Sequence, residues 1–174
     1  MKPHCYLLSI LNTNLNMKRI SLLLSMVVVL VLQVGAVHPQ ITSFDELMKT
    51  LNAGGHVRAV FYYAKCTLIS DNENQEKVPD AIGGMDIGTY EYFAPNAVKN
   101  KDAFVVLSES KLIEYPKGDG YVYNYVKVKI EPNNKVRITA RYLDSKTMEE
   151  KMNENFFGQI NDGKNDGGVF LFGE

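Results

Sequence analysis

Cys66 and His56 are the first residues to weigh for chemistry, because a cysteine nucleophile needs a base within hydrogen-bond reach. They flank one extended segment of about ten residues. On a straight strand that separates them by roughly 33 Å, so they do not meet. His38 lies beside an expected cleavage site and has no partner in the sequence. Gly83-Gly84-x-x-x-Gly88 shares only its glycines with a phosphate loop. The Gly-Lys-Ser/Thr ending is missing and no helix pattern follows, so these glycines read as structural, marking a bend or bulge in a strand. Residues 162–173 place Asp162, Asp166 and Gly167 at the first, fifth and sixth positions of a calcium loop. Lys164 then stands where a ligand oxygen belongs, and Gly173 where a bidentate glutamate belongs. This segment reads as a turn. There is no serine elbow, no His-Glu-x-x-His and no cysteine pair for zinc. No catalytic residue, metal or cofactor is assigned on this reading. Asp86, the one charged group enclosed by the glycines, is retained as a carboxylate to test.

The aromatic residues are the stronger lead. The chain carries ten tyrosines and eight phenylalanines. Tyr121, Tyr123 and Tyr125 share one side of a strand with Lys127 and Lys129. Exposed, that ladder is a binding surface for a protein, a sugar or an apolar ligand. Buried, it is one wall of the core. Its place opposite Val122, Val126, Val128 and Ile130 favours half-exposure.

The elements that position these residues follow an address. Lys18 and Arg19 precede an apolar run over residues 20–32, and Val34-Gly35-Ala36 supplies small residues before Val37. This is the pattern of a secretory signal peptide. The run is about 13 residues, whereas a membrane span needs roughly 20. Met17 offers an alternative start. Residues 1–36 are therefore expected to be removed, leaving a secreted, extracellular chain with no integral membrane segment. That chain, 37–174, has 174 − 36 = 138 residues, one domain of ordinary size. Its 16 Lys+Arg (19 − 3) face 20 Asp+Glu, a net charge of −4, which argues against nucleic acid as a partner. Cys66 is its single cysteine. A disulfide framework would need an even set, so Cys66 is either buried and inert, which free cysteine favours, or exposed and able to pair with a second chain.

Ser43-Phe44-Asp45-Glu46 matches a capping box, with Glu46 expected to reach back to the Ser43 N–H. Phe44, Leu47, Met48 and Leu51 form the apolar face of a helix, and Gly54-Gly55 supplies its stop. Residues 56–64 read as a central strand, apolar on both faces. Residues 70–77 carry no apolar side chain and read as an exposed loop. Residues 80–93 read as one strand bent at Gly83, Gly84 and Gly88. Residues 103–107 form a strand with a polar tail. Residues 121–130 and 136–143 alternate strictly and form a long hairpin with one wet face. Residues 144–152 read as one or two helical turns. A Gly/Asn/Asp-rich tail follows, closing on Val169-Phe170-Leu171-Phe172. The expected class is α+β: one N-terminal helix on a curved, mostly antiparallel sheet of five or six strands, which the glycines would let curl toward a half-barrel.

Leu51-x-x-Gly54-Gly55-His56-Val57-Arg58, Tyr63-x-Lys65-Cys66, residues 83–90 (Gly-Gly-Met-Asp-Ile-Gly-Thr-Tyr) and Gly118-x-Gly120 with residues 121–127 occur in one order. In that order the domain resembles the VirK family of small secreted proteins, over roughly residues 43–143. The family has no established activity, so the resemblance implies secretion and carries over no catalytic residue. The function expected is a secreted, non-enzymatic binding or matrix-associated domain, its partner a protein, matrix or small ligand. Two alternatives stay open: a hydrolase using Asp86 and neighbouring carboxylates, and a covalent dimer through Cys66.

Overall fold

The computed structural model describes residues 38–69 and 78–173. The expected signal segment 1–36 and the polar stretch 70–77 lie outside them. One α-helix and two antiparallel sheets make up the described residues. Strands β1 (Gln40–Ile41), β2 (Val57–Tyr62), β4 (Ile82–Asp86) and β10 (Val169–Gly173) form a four-stranded sheet in the order β1–β10–β2–β4. Strands β3 (Thr67–Ile69), β5 (Tyr90–Phe93), β6 (Phe104–Glu114), β7 (Tyr121–Ile130), β8 (Lys135–Asp144) and β9 (Glu150–Gln159) form a six-stranded sheet in the order β3–β9–β8–β7–β6–β5. The α+β class stands. The single sheet of five or six strands is corrected to two sheets, neither closed on itself, and the helix is preceded by β1 rather than leading the domain.

Helix α1 (Phe44–Asn52) forms where its signals placed it. The Ser43 side chain accepts from the Glu46 N–H at 3.3 Å, and Asp45 and Glu46 lie at the positive end of the helix dipole. Glu46 does not return to Ser43 as a capping box would have it. It accepts from the N–H and hydroxyl of Thr42 at 2.8 and 2.9 Å, one residue earlier, and these bonds hold its carboxyl below the usual range. Phe44, Leu47 and Leu51 are buried, and Gly54 ends the helix with a φ of +77°. Asn134, in the turn after β7, accepts from the Phe44 N–H at 2.8 Å and, through its carbonyl, from Ile160 at 3.0 Å. One loop residue thus ties the helix start, the β7–β8 hairpin and the end of β9 together.

The chain changes sheet at 63–66, where a 3-10 turn (Tyr63–Lys65) separates β2 from β3, and again at 87–89 and 160–168. Residues 80–93, expected as one bent strand, are therefore two strands in two sheets. Ile87 is the pivot: its side chain is buried and its N–H donates to Val57 at 2.8 Å. The polar tail after Leu107 extends the strand, as expected, and runs further. Its Ser-Glu-Ser-Lys continues β6 to Glu114, because every residue from Val105 to Glu114 has a partner on β7. Residues 144–152 are corrected from helix to the β8–β9 hairpin. Asp144 caps one tight turn by accepting from the N–H groups of Lys146 and Thr147, both at 2.9 Å, and the chain returns as β9.

One core serves both sheets and the helix. Tyr90, Leu107, Val128, Ile138, Phe156 and Leu68 line up across all six strands of the larger sheet. They meet Val57, Ala59 and Phe61 of β2, Val169 and Leu171 of β10, and the helix stripe in a single cluster. The Gly/Asn/Asp-rich loop is anchored to that core by Asn161. Its buried amide donates to the carbonyls of Asn165 and Gly167 and accepts from Gly163 N–H. The loop packs closely enough that a Cβ at Gly167 would lie 2.6 Å from the Gln159 carbonyl.

Candidate functional site

The period of two along a strand puts alternate residues of β7 on opposite sides of the larger sheet. Val122, Val128 and Ile130 are buried, so Tyr121, Tyr123, Tyr125, Lys127 and Lys129 occupy the outer side. Tyr121 is 60% exposed, and Tyr123 and Tyr125 are half-buried by neighbours on their own face. Tyr123 lies between Leu112, 55% exposed, and Leu143. Tyr125 lies between Ser110 and Arg141. The ladder is a surface feature rather than a core wall.

Below the ladder the same face turns basic. Lys127 sits between Ser108 and Thr139, and Lys129 sits directly opposite Arg137. Aromatic rings hold two of these cations. The Lys129 ammonium lies 4.5 Å from the Phe104 ring centre, and the Arg137 guanidinium lies 5.3 Å from that of Phe157. Lys129 also pairs with Glu131 at 2.8 Å, and Arg141 with Glu150 at 3.4 Å, from the two ends of the face. Between them runs a shallow groove of about 390 Å³ whose walls include Tyr125, Lys127, Arg137 and Arg141. The alternation of β7 revealed Tyr121, Tyr123, Tyr125, Lys127 and Lys129. Arg137 and Arg141 came from a second strand, and only the hairpin register brings the two sets side by side.

A second concave region opens on the inner side, where the sheets part. It is a cleft of about 380 Å³ with Phe61, Val126, Ala140 and Phe156 among its walls. Glu109, Lys111, Asn124, Tyr142 and Glu154 make its rim polar, with Lys111 and Glu109 paired at 2.8 Å. Tyr63 stands against Phe156, ring centres 4.7 Å apart. Burial, then the nearby Cys66, Tyr142 and Glu154, push the Tyr63 hydroxyl up to about 12. In the sequence, Asn124 interrupts the apolar side of β7 at this cleft.

Gly83 and Gly84 belong to β4 at the cleft edge. A Cβ at Gly83 would press on the Tyr63 ring at 3.0 Å, and one at Gly84 would meet the Ala59 carbonyl at 3.2 Å. Gly88 faces open space. Asp86 pairs with Arg58 at 3.3 Å directly across from it, both side chains exposed. It lies on the smaller sheet, whereas the tyrosine ladder lies on the larger one. Cys66 is 7% exposed, its sulfur packed against Gly158 and Gly168, and burial raises its thiol. His56 and Cys66 stand at opposite ends of β2. Asp162, the first position of the calcium-like segment, accepts from the N–H groups of Lys164 and Asn165 at 2.8 Å, which makes it a turn cap. Among the described residues no group of three or more His, Cys, Asp or Glu is placed to hold a metal, and no helix is long and apolar enough to cross a membrane.

The sequence model of one family, described as VirK protein, matches residues 40–148. No curated protein matches. Among solved structures, the crystal structure of a VirK family protein from Legionella pneumophila superposes with a TM-score of 0.60. It is 14% identical and covers 76% of this chain and 98% of its own. At that identity the likeness speaks for the fold. Strands β9 and β10 lie beyond the family match.

Proposed function

This chain belongs to the VirK family, and on that premise we propose that it is a secreted, non-enzymatic binding domain that associates with extracellular matrix through the outer face of its larger sheet. The observation that carries this reading is the placement of Tyr121, Tyr123 and Tyr125 on the solvent side of β7, next to Lys127 and Lys129. Folding accounts for the valines and isoleucine of the opposite side and leaves this aromatic row without a structural task. A contiguous, partly exposed aromatic strip beside cations is the kind of surface that supplies contact area and polar anchoring together. The basic n-region, short apolar run and small residues before Val37 support secretion. Asp86, exposed and paired with Arg58, gives no support to a hydrolase. The burial of Cys66 likewise counts against a disulfide to a second chain.

The test replaces Tyr121, Tyr123 and Tyr125 together with serine. Association with cell-deposited matrix is expected to be lost while the melting transition stays cooperative. Undiminished association would overturn the reading. Mass spectrometry of protein recovered from culture medium is expected to place its first residue at Val37. A non-reducing gel of the same sample should show a monomer.

A further inference from the structure

We propose that the matrix ligand is a sulfated polysaccharide, gripped by Lys127, Lys129, Arg137 and Arg141; this rests on the reading of the outer sheet face as the binding surface. Three cross-strand rows make up the middle of that face. They are Ser110–Tyr125–Arg141–Asn153, Ser108–Lys127–Thr139–Asn155 and Val106–Lys129–Arg137–Phe157. Over β6 to β9 they hold four cations and no carboxylate, with Glu91 of β5 extending the last row beyond Val106, in a chain whose formal net charge is −1. The charge is therefore gathered on this face rather than typical of the surface.

Its arrangement is costly to the fold. Lys129 and Arg137 are directly opposite, and like charges in that position destabilise a sheet. Glu131, just past β7, answers Lys129, and Glu150, the first residue of β9, answers Arg141 at the other end. Among the described residues, Lys127 and Arg137 make no ion pair. Phe104 and Phe157 hold two of the cations in place without neutralising them. A field built this way lacks an anion at its centre.

The spacing says what kind of anion fits. Neighbouring strands are about 4.8 Å apart and alternate residues on one strand roughly 6.8 Å apart. From Arg137 to Arg141 the field thus extends about 14 Å, room for several anionic groups on one flat polymer. Hydroxyl and amide groups of Ser108, Ser110, Thr139, Asn153 and Asn155 alternate with the cations and match a ligand rich in hydroxyls. Tyr125 and Tyr123, half-buried at the upper edge, add aromatic surface of the kind sugar rings pack on. A polymer bearing sulfates on pyranose rings presents those three features together.

Heparin is the probe. The full purified chain is expected to bind heparin, and to lose binding to heparin from which the sulfates have been removed. Lys127→Ala with Arg137→Ala is expected to weaken heparin binding at least about tenfold near physiological salt. It should also reduce the slope of log affinity against log salt by roughly two, one for each cation removed. Lys49→Ala with Lys101→Ala, off this face, should change neither. Equal binding to desulfated heparin, tighter binding to a single-stranded oligonucleotide, or an unshifted double variant with an unchanged melting curve would each overturn the polysaccharide. The two readings fail separately. Matrix association that survives enzymatic removal of sulfated polysaccharide, yet is lost with the three tyrosines, overturns the ligand and leaves the face standing. Association indifferent to the tyrosines overturns the face itself.

Discussion

The two sides of the six-stranded sheet are made by the same strands and differ in almost everything else. The inner side is dry where the second sheet and the helix cover it, with Val105, Leu107, Val128, Ile138 and Phe156 buried. The outer side carries tyrosines, lysines and arginines, with no element among the described residues packed over the centre of β7 and β8. Successive residues are thus assigned to different work. Phe156 is 1% exposed and packs against the tilted Tyr63 ring, while Phe157 is 39% exposed and lies against Arg137. Stability should reside on one side and recognition on the other.

The adjacent phenylalanines give the largest test of that division. Phe156→Ala is expected to cost about 3–5 kcal/mol, from lost burial and the cavity left behind. Phe157→Ala should cost less than about 1 kcal/mol, as most exposed substitutions do. Denaturant titration of both variants checks this, and equal losses would break the comparison. Gly84→Val comes next at roughly 1–3 kcal/mol, because its side chain must displace the Ala59 carbonyl. A melting curve reads it, and matrix association should persist wherever the variant remains folded.

Alkaline pH probes the wet part of the inner side. The Tyr63 hydroxyl is raised from 10 to about 12, so the folded chain holds its proton longer than the unfolded chain. Its contribution to stability is complete below pH 10 and is lost as pH rises toward 12, at about 1.4 kcal/mol per pH unit. Tyr63→Phe should remove that slope in denaturation midpoints measured across the window. The raised Cys66 thiol adds a loss that Tyr63→Phe leaves in place. On the outer side, Arg137→Ala separates Lys129 from a like charge and should leave stability unchanged or raise it by about 0.2–1 kcal/mol, measured against wild type at low salt. The smallest effect belongs to Asp86→Asn. Its ion pair with Arg58 is exposed, so a stability change under about 0.5 kcal/mol and unaltered matrix association are expected in the same assays.

Helix α1 and strands β7, β8 and β10 were legible because each carries its own pattern: a capped 3.6-residue stripe, two runs of strict alternation and an apolar burst. Strand β9 was not. Its Glu-Lys-Met-Asn-Glu-Asn has low strand propensity and no clean alternation, and its order comes from pairing with β8 on one side and β3 on the other. The same holds for the end of β6, whose Ser-Glu-Ser-Lys is extended because β7 lies beside it. The tyrosine half of the candidate surface was legible for the reason β7 was. Arg137 and Arg141 were legible as one side of the second hairpin strand; their register against the tyrosines and lysines, and the inter-sheet cleft, were not, since both join residues from separate segments.

By itself, then, the sequence decided which residues of a strand travel together, because side-chain direction follows from local backbone geometry. It settled that Tyr121, Tyr123 and Tyr125 share a side with Lys127 and Lys129. Only the tertiary structure decided the register that sets Arg137 opposite Lys129 and Arg141 opposite Tyr125, and that residues 80–93 serve two sheets. Those outcomes depend on which strands pair and where the second sheet lands, and long-range pairing leaves no periodic trace in any one segment.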